Sequence, residues 1–357
     1  MAKSKLALGL DIGSSSVKLV QLREGKRGFQ LEAFGVAPLP PEAIVDGALM
    51  NSTAIVEAIQ KLVSEHKLKS REAAIGVSGH SVIIKKISMP KMTQEELEES
   101  IQWEAEQYIP FDVKDVNIDV QILTPPDVDT GTGQMDVLLV AAKKDMINDY
   151  TSVVSEAGLS PVVVDVDAFA VQNCFSANYD VPEKETVVLI NAGAAVVNIN
   201  ILAGGVTTFT RDVTIGGNQF TEEIQKQLNV SYEEAEALKI GGGRGDADAV
   251  VPQEVERVMS SVAEQVAGEI QRSLDFYAGT AADANFTKVF LSGGTAKIHA
   301  LFKTIESRVG VPVEIMNPFK QIEIDNRKFD PAFIMDVAPL AAVAVGLALR
   351  KAGDKLD

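Results

Sequence analysis

Apolar spacing defines the first element. Leu6, Ala7, Leu8 and Leu10 run together without the polar alternation of a half-exposed strand, so 6–10 is predicted as a strand buried on both faces. The run stops at Asp11, turns through Gly13, Ser14, Ser15 and Ser16, and resumes as an extended pattern at 17–22. A turn at 24–28 and a second extended stretch at 30–36 follow, and Pro38, Pro40 and Pro41 close the sheet. At 53–66 the period becomes helical, with Ile55, Val56, Ile59, Leu62 and Val63 on one stripe, and 73–77 returns to a strand.

A different texture opens at 79. A strand at 81–89 carries Lys85 and Lys86 among Val82, Ile84 and Ile87. Pro90 ends it, and Thr93 with Glu96 forms a capping box for an acidic helix reaching about residue 108. Leu97, Ile101, Trp103 and Tyr108 are the buried candidates of that helix. The break Tyr108-Ile109-Pro110-Phe111 leads to strands near 116–123 and 135–142. Between them, 124–134 is polar without an apolar anchor and is expected to be mobile. A helix at 144–157 completes what reads as an inserted α/β subdomain, 79–158.

After a strand at 161–166 and a helix at 168–177, the opening pattern recurs. A buried run at 185–190 ends in Asn191-Ala192-Gly193, a strand follows at 194–202, Gly204 and Gly205 turn the chain, and 206–211 is a third strand. One interval separates both Asp11 from Asn191 and Gly13 from Gly193, with the same flanking strands, which marks an internal duplication. Gly216 and Gly217 precede a helix at 219–228, and Ser231 caps another at 232–240 bearing Glu236 and Lys239 on one face. That pair taken alone reads as a solvated surface contact. The glycine run 241–245 ends the helix, and 254–277 is a long packing helix striped by Val255, Val258, Val262, Val266, Ile270 and Leu274. A strand at 288–291 runs into Ser292-Gly293-Gly294-Thr295 and a helix at 298–309. The Ala/Gly-rich stretch 335–351 reads as one helix packed on the core, because no run reaches the roughly 18 apolar residues of a membrane span.

The expected division is a first domain of 1–78 with 159–184 and 335–357, the insertion 79–158, and a second domain 185–334 with a helical part near 216–285. A formal charge of −17 argues against nucleic acid or an anionic membrane as a direct partner, while one local lysine still suffices for a phosphate. Cys174 is the only cysteine, so no intrachain disulfide forms; with no signal-like run before Asp11, a cytoplasmic protein without direct membrane insertion is expected.

The chemistry concentrates at the glycine turns. Asp-x-Gly-Ser-Ser at a strand end offers backbone N–H groups and hydroxyls to an anion, Lys18 adds charge, and Asp11 can reach a metal through water. Gly293 and Gly294 let a flat ring or a phosphate lie against backbone. Glycine and serine also dominate ordinary turns, and the duplication is what separates these from them.

These turns resemble the actin/Hsp70/sugar-kinase ATPase superfamily over nearly the whole chain, implying an α/β actin-like ATPase fold of two ribonuclease-H-like halves. The resemblance implies ATP with Mg²⁺. Asp11, Gly13, Ser14, Ser15 and Lys18 match the first phosphate motif, Asn191, Gly193 and Ala194 the second, and Gly293, Gly294 and Thr295 the adenosine motif. Gly216 and Gly217 join the implied site, and Glu236 with Lys239 becomes a nucleoside contact. The insertion is similar to that of FtsA and PilM. The run ESIQWEAEQYIPF ending at Phe111, Asn317-Pro318-Phe319 and the ending VGLALR at Arg350 resemble the PilM family of type IV pilus platform proteins.

That family implies an ATP-binding scaffold holding the N-terminal cytoplasmic peptide of the membrane protein PilN, in a groove between the insertion and the first domain. Trp103, Tyr108, Ile109, Pro110 and Phe111 are the groove candidates, and other inner-membrane or motor proteins of the pilus are the further implied partners. The protein is then peripheral to the inner membrane through its partner. Asn191 stands where the superfamily normally has Asp, which weakens metal coordination and predicts slow or absent turnover. Gln172 is the one candidate for orienting a hydrolytic water. An FtsA-like cytoskeletal protein and a small-molecule kinase of the superfamily are the alternatives.

Overall fold

The computed structural model describes residues 6–26, 28–124, 131, 133–180, 184–241, 253–281 and 285–354. Most of the polar stretch 124–134, and positions 242–245 of the glycine run, lie outside the described residues. β1 (Leu8–Ile12) is buried at every position and sits in the middle of its sheet, as an uninterrupted apolar run requires. β2 (Ser16–Gly25) and β3 (Gly28–Pro38) meander antiparallel on one side of it. A short hairpin, β4 (Ile44–Val45) and β5 (Ala48–Leu49), precedes α1 (Ser52–Glu65), which crosses over so that β6 (Glu72–Val77) lies parallel to β1.

The chain then leaves this sheet. β7 (Val82–Pro90), α2 (Gln94–Glu104), β8 (Val116–Ile122) and β9 (Gln134–Lys143) make a separate antiparallel sheet in the order β7-β9-β8, covered by α2. The capping box forms as expected: Glu96 N–H donates to Thr93 Oγ1 at 3.2 Å and Thr93 N–H to Glu96 Oε2 at 2.9 Å. α3 (Lys144–Glu156) was expected to belong to the insertion. It buries Met146, Tyr150, Val153 and Val154 in the core of the first sheet, beside Ile55 and Ile59 of α1. Its apolar stripe faces that core, so the insertion's own packing ends with β9. β10 (Ser160–Val166) completes the first sheet, order β10-β6-β1-β2-β3.

α4 (Asp167–Asn178) leads into the second half: β11 (Thr186–Ala192), β12 (Val197–Ala203), β13 (Val206–Val213), α5 (Gly217–Leu228), α6 (Tyr232–Gly241), α7 (Gln253–Thr280), β14 (Phe286–Ser292), α8 (His299–Val309) and β15 (Val313–Ile315). The sheet order β13-β12-β11-β14-β15 repeats the first half strand for strand, with the same antiparallel meander and the same parallel pairs. The stripe of α7 is buried throughout, Val255 to Leu274, as its spacing predicts.

The segment expected as one helix at 335–351 is instead α9 (Pro331–Val337), a 3₁₀ turn Ala338–Ala341 containing Pro339, and α10 (Ala342–Ala348). Contrary to the expectation that no run is long enough, Pro331–Ala348 has the length and hydropathy of a membrane span. Every residue of α10 is nevertheless buried, against β1 and α4. A Cβ on Gly346 would lie 1.7 Å from the Ala170 carbonyl oxygen, so its small residues serve close packing within the protein. One continuous core, from Leu22 and Phe34 through Phe175 to Leu189 and Phe290, joins α4 and α10 to both sheets.

Candidate nucleotide cleft and insertion groove

The central strands of both halves end at one cleft of about 400 Å³, within the size range of small-molecule sites. The hairpin register places Lys18 opposite Asp11, and Lys18 Nζ lies 3.2 Å from Asp11 Oδ2, with each side chain 12% exposed. The duplicated hairpin places Asn198 opposite Asn191 in the same way, and Asn191 Nδ2 donates to Asn198 Oδ1 at 3.0 Å. Both turns close identically: Gly13 N–H donates to the Ser16 carbonyl at 3.2 Å and Gly193 N–H to that of Val196 at 2.9 Å. An ion pair in one half is therefore matched by an amide pair in the other.

The third turn is tied to the second. Thr295 Oγ1 donates to the Gly193 carbonyl at 2.7 Å, and Gly293, at φ +90°, lies so close to Ala192 that a Cβ would meet its carbonyl oxygen at 2.2 Å. On the outer wall, Lys239 Nζ contacts Glu236 Oε2 at 2.6 Å, Thr221 Oγ1 at 2.9 Å and the Gly217 carbonyl at 3.3 Å. The i, i+3 spacing of Glu236 and Lys239 thus locks α6 onto α5 at the cleft mouth.

Every residue expected in the ATP site lines the cleft except Gly216. A side chain on Gly216 would collide with the Gly193 and Ala194 carbonyls at 2.6 Å, so its smallness serves packing behind the turn. Gln172 does not reach the cleft either. Its amide is bound by Asn200, Thr207 and the Gly205 carbonyl, all on the β12–β13 hairpin. Helix geometry is the reason: the first residue of α4, Asp167, faces the cleft, and Gln172, five residues on and so about 140° further round the helix, points away.

Sequence reasoning missed Asp167, because an acidic residue opening a helix is equally well explained by the helix's own N-terminus. Desolvation, and then the neighbouring Asp11 carboxylate, push its carboxyl up to about 7, against a hydrogen bond from Ser78. The same desolvation, with Asp167 and Asp11 close by, raises the phenol of Tyr150, which lines the cleft from α3. Asn198 was also missed, although the duplication that relates Asp11 to Asn191 relates Lys18 to Asn198. Ser78, Gly79 and His80, where the chain enters the insertion, complete this wall.

The insertion carries a second, open groove lined by Trp103, Val113 and Ile118 together with Glu106, Lys114 and Lys144. Trp103 is 81% exposed rather than buried. Leu97 and Ile101 face the insertion core, and a residue two further on lies on the opposite side of a helix. Of the five groove candidates, Trp103 alone lines this groove. Ile109 is buried in the insertion core, Tyr108 and Phe111 pack against that core, and Pro110 is exposed elsewhere. Lys143 Nζ sits 4.5 Å above the Phe111 ring, which fixes the break after α2 to the end of β9.

Two sheets of one topology, facing each other across two packed helices and closing three glycine turns around a cleft, define the actin-like ATPase fold. MreB5 of Spiroplasma citri bound to AMPPNP shares it, with a TM-score of 0.53 at 12% identity over 96% of this chain and 95% of that one. A family model described as type IV pilus assembly protein PilM matches residues 9–352, and the chain belongs to that family. The structure of a PilM-PilN type IV pilus biogenesis complex is similar at a TM-score of 0.86 and 31% identity, covering 96% of this chain and 98% of that one. The cell division protein FtsA of Neisseria meningitidis serogroup B is 22% identical over 373 residues, 93% of this chain and 89% of that protein.

Proposed function

We propose that the protein is an ATP-binding scaffold of the type IV pilus machinery. ATP ties its two halves together, and its insertion holds the N-terminal cytoplasmic peptide of PilN. The observation that carries the nucleotide reading is the convergence of Asp11–Lys18, Gly193–Ala194 and Gly293–Thr295, from both halves, on one cleft. Mg²⁺ fits the same place. The Asp11 carboxylate disfavours charge on Asp167 across the same wall of the cleft, and a divalent cation bound through the two and water relieves that repulsion. When bound, the ion neutralises phosphate charge. Lys18 and the turn amides hold the phosphates, and Glu236 with Lys239 orients the nucleoside. Asn191 offers no charge to a metal or to a hydrolytic water, so turnover is expected to stay below about 1 per second.

The peptide reading is supported by family membership, by the PilM-PilN complex to which this chain is similar, and by the exposed Trp103 beside a groove of mixed apolar and charged lining. Aromatic anchors of this kind dominate peptide affinity. Such a scaffold works in the cytoplasm, at the inner membrane through its partner. The test is calorimetry of Mg-ATP on the full chain, with capture of the PilN cytoplasmic peptide in the presence and absence of ATP. Absence of Mg-ATP binding overturns the nucleotide reading, and failure to capture the peptide in either state overturns the partner.

A further inference from the structure

We propose that a hydrogen-bonded row along the cleft wall, Asn191–Asn198–Asp212–Gly79, is a polarised latch that ties the root of the insertion to the second half and tightens when the cleft is filled. The latch stands on the geometry alone; its response to ligand rests on the nucleotide reading above.

The row is built by sheet register. Asn191, Asn198 and Asp212 lie directly opposite one another on β11, β12 and β13. Asn198 Nδ2 donates to Asp212 Oδ1 at 2.8 Å, and the other carboxylate oxygen of Asp212 accepts the backbone N–H of Gly79 at 2.6 Å. Gly79 lies between β6 of the first sheet and β7 of the insertion, and β7 packs against β13. One side-chain row thus runs from the phosphate end of the cleft to the hinge of the insertion. Asn191 and Asn198 line the cleft, whereas Asp212 sits behind it.

The row has a single permitted direction. A carboxylate only accepts and the Gly79 N–H only donates, so Asp212 must receive from both neighbours. Asn198 must then turn its amide nitrogen toward Asp212 and its oxygen toward Asn191, which must answer with its own nitrogen. This is why an amide serves at 191: Asp there would set two acceptors against one amide oxygen. Asn191 Nδ2 keeps a second N–H for the cleft. A phosphate oxygen, which also only accepts, holds the amide in the orientation the latch requires, and the bonds along the row reinforce one another.

Hydrogen exchange of the full chain, read by mass spectrometry over 79–90, tests both parts. Without ligand, Asn191→Asp is expected to speed exchange there about tenfold, one net hydrogen bond's worth. Asn191→Asp with Asp212→Asn restores the slow rate, because the row is then satisfied in the reverse direction. Asn191→Asp with Asp212→Ala matches that double variant in charge and stays fast. Wild-type exchange in Asn191→Asp, or no rescue by Asp212→Asn, overturns the latch. With Mg-AMPPNP, the wild type slows further and Asp212→Ala, though it binds AMPPNP, does not respond. A calorimetrically saturated wild type with unchanged exchange, or a response retained in Asp212→Ala, overturns the coupling. No AMPPNP binding by the wild type overturns the nucleotide reading and the coupling together, while the ligand-free comparison still judges the latch.

Discussion

Lys18 and Asn198 occupy the same place in two copies of one hairpin, and their chemistries give the cleft a charged wall and a neutral one. Lys18→Ala removes the phosphate's cation and leaves Asp11 without its ion-pair partner. ATP binding measured by calorimetry should weaken by about 1.5–3 kcal/mol, the worth of a charged hydrogen bond. Asp167 behaves differently. Its carboxyl, raised to about 7 by desolvation and by Asp11, holds a proton in the folded chain that the unfolded chain has lost above the ordinary carboxylate range. Stability therefore falls as pH rises from about 4 through about 7. Asp167→Asn removes that dependence and should raise the urea midpoint of the ligand-free protein at pH 8 while leaving it nearly unchanged at pH 4. The turn at 11–18 was legible because the duplication repeated its strand–turn–strand pattern at 191–198. Asp167 was not, because its role depends on which residue of a strand-to-helix junction faces the cleft.

Among the elements, α2 shows how far periodicity carries. Leu97 and Ile101 lie four apart, both are buried, and the same arithmetic turns Trp103 outward. Trp103→Ala should weaken peptide capture by about 2 kcal/mol, a typical aromatic anchor, with ATP affinity unchanged in calorimetry. A substitution at Phe111 is the contrasting case. The ring packs beneath Lys143 on the insertion core, so Phe111→Asp should lower the melting temperature of the insertion as well as peptide capture. α3 and α10 mark where composition misleads. α3 follows the insertion in sequence yet packs on α1, and the stretch Pro331–Ala348 has the hydropathy of a membrane span yet ends in α10, buried in the core shared by the two sheets.

At the scale of the molecule, the two halves share one apolar core across α4 and α10, with the cleft above it. A ligand touching Lys18 on one side and Gly193 and Thr295 on the other binds the folded arrangement alone. Mg-ATP at 100 times its dissociation constant should therefore add about 2.7 kcal/mol to unfolding, seen as one cooperative shift in calorimetry. A shift confined to one of two resolved transitions would show that the halves unfold separately and that the cleft does not bridge them.

The repeated hairpins, their glycine turns and the long stripe of α7 were determined by the sequence alone, since periodicity and turn chemistry are local properties that survive without knowledge of neighbours. The tertiary structure decided the rest. It chose Asp167 over Gln172, placed Trp103 outside and Ile109 inside, gave α3 to the first core, and joined Asn191 to Gly79 through residues far apart in sequence. Those outcomes depend on which faces meet after folding. Residue spacing specifies a face but not the surface that comes to cover it.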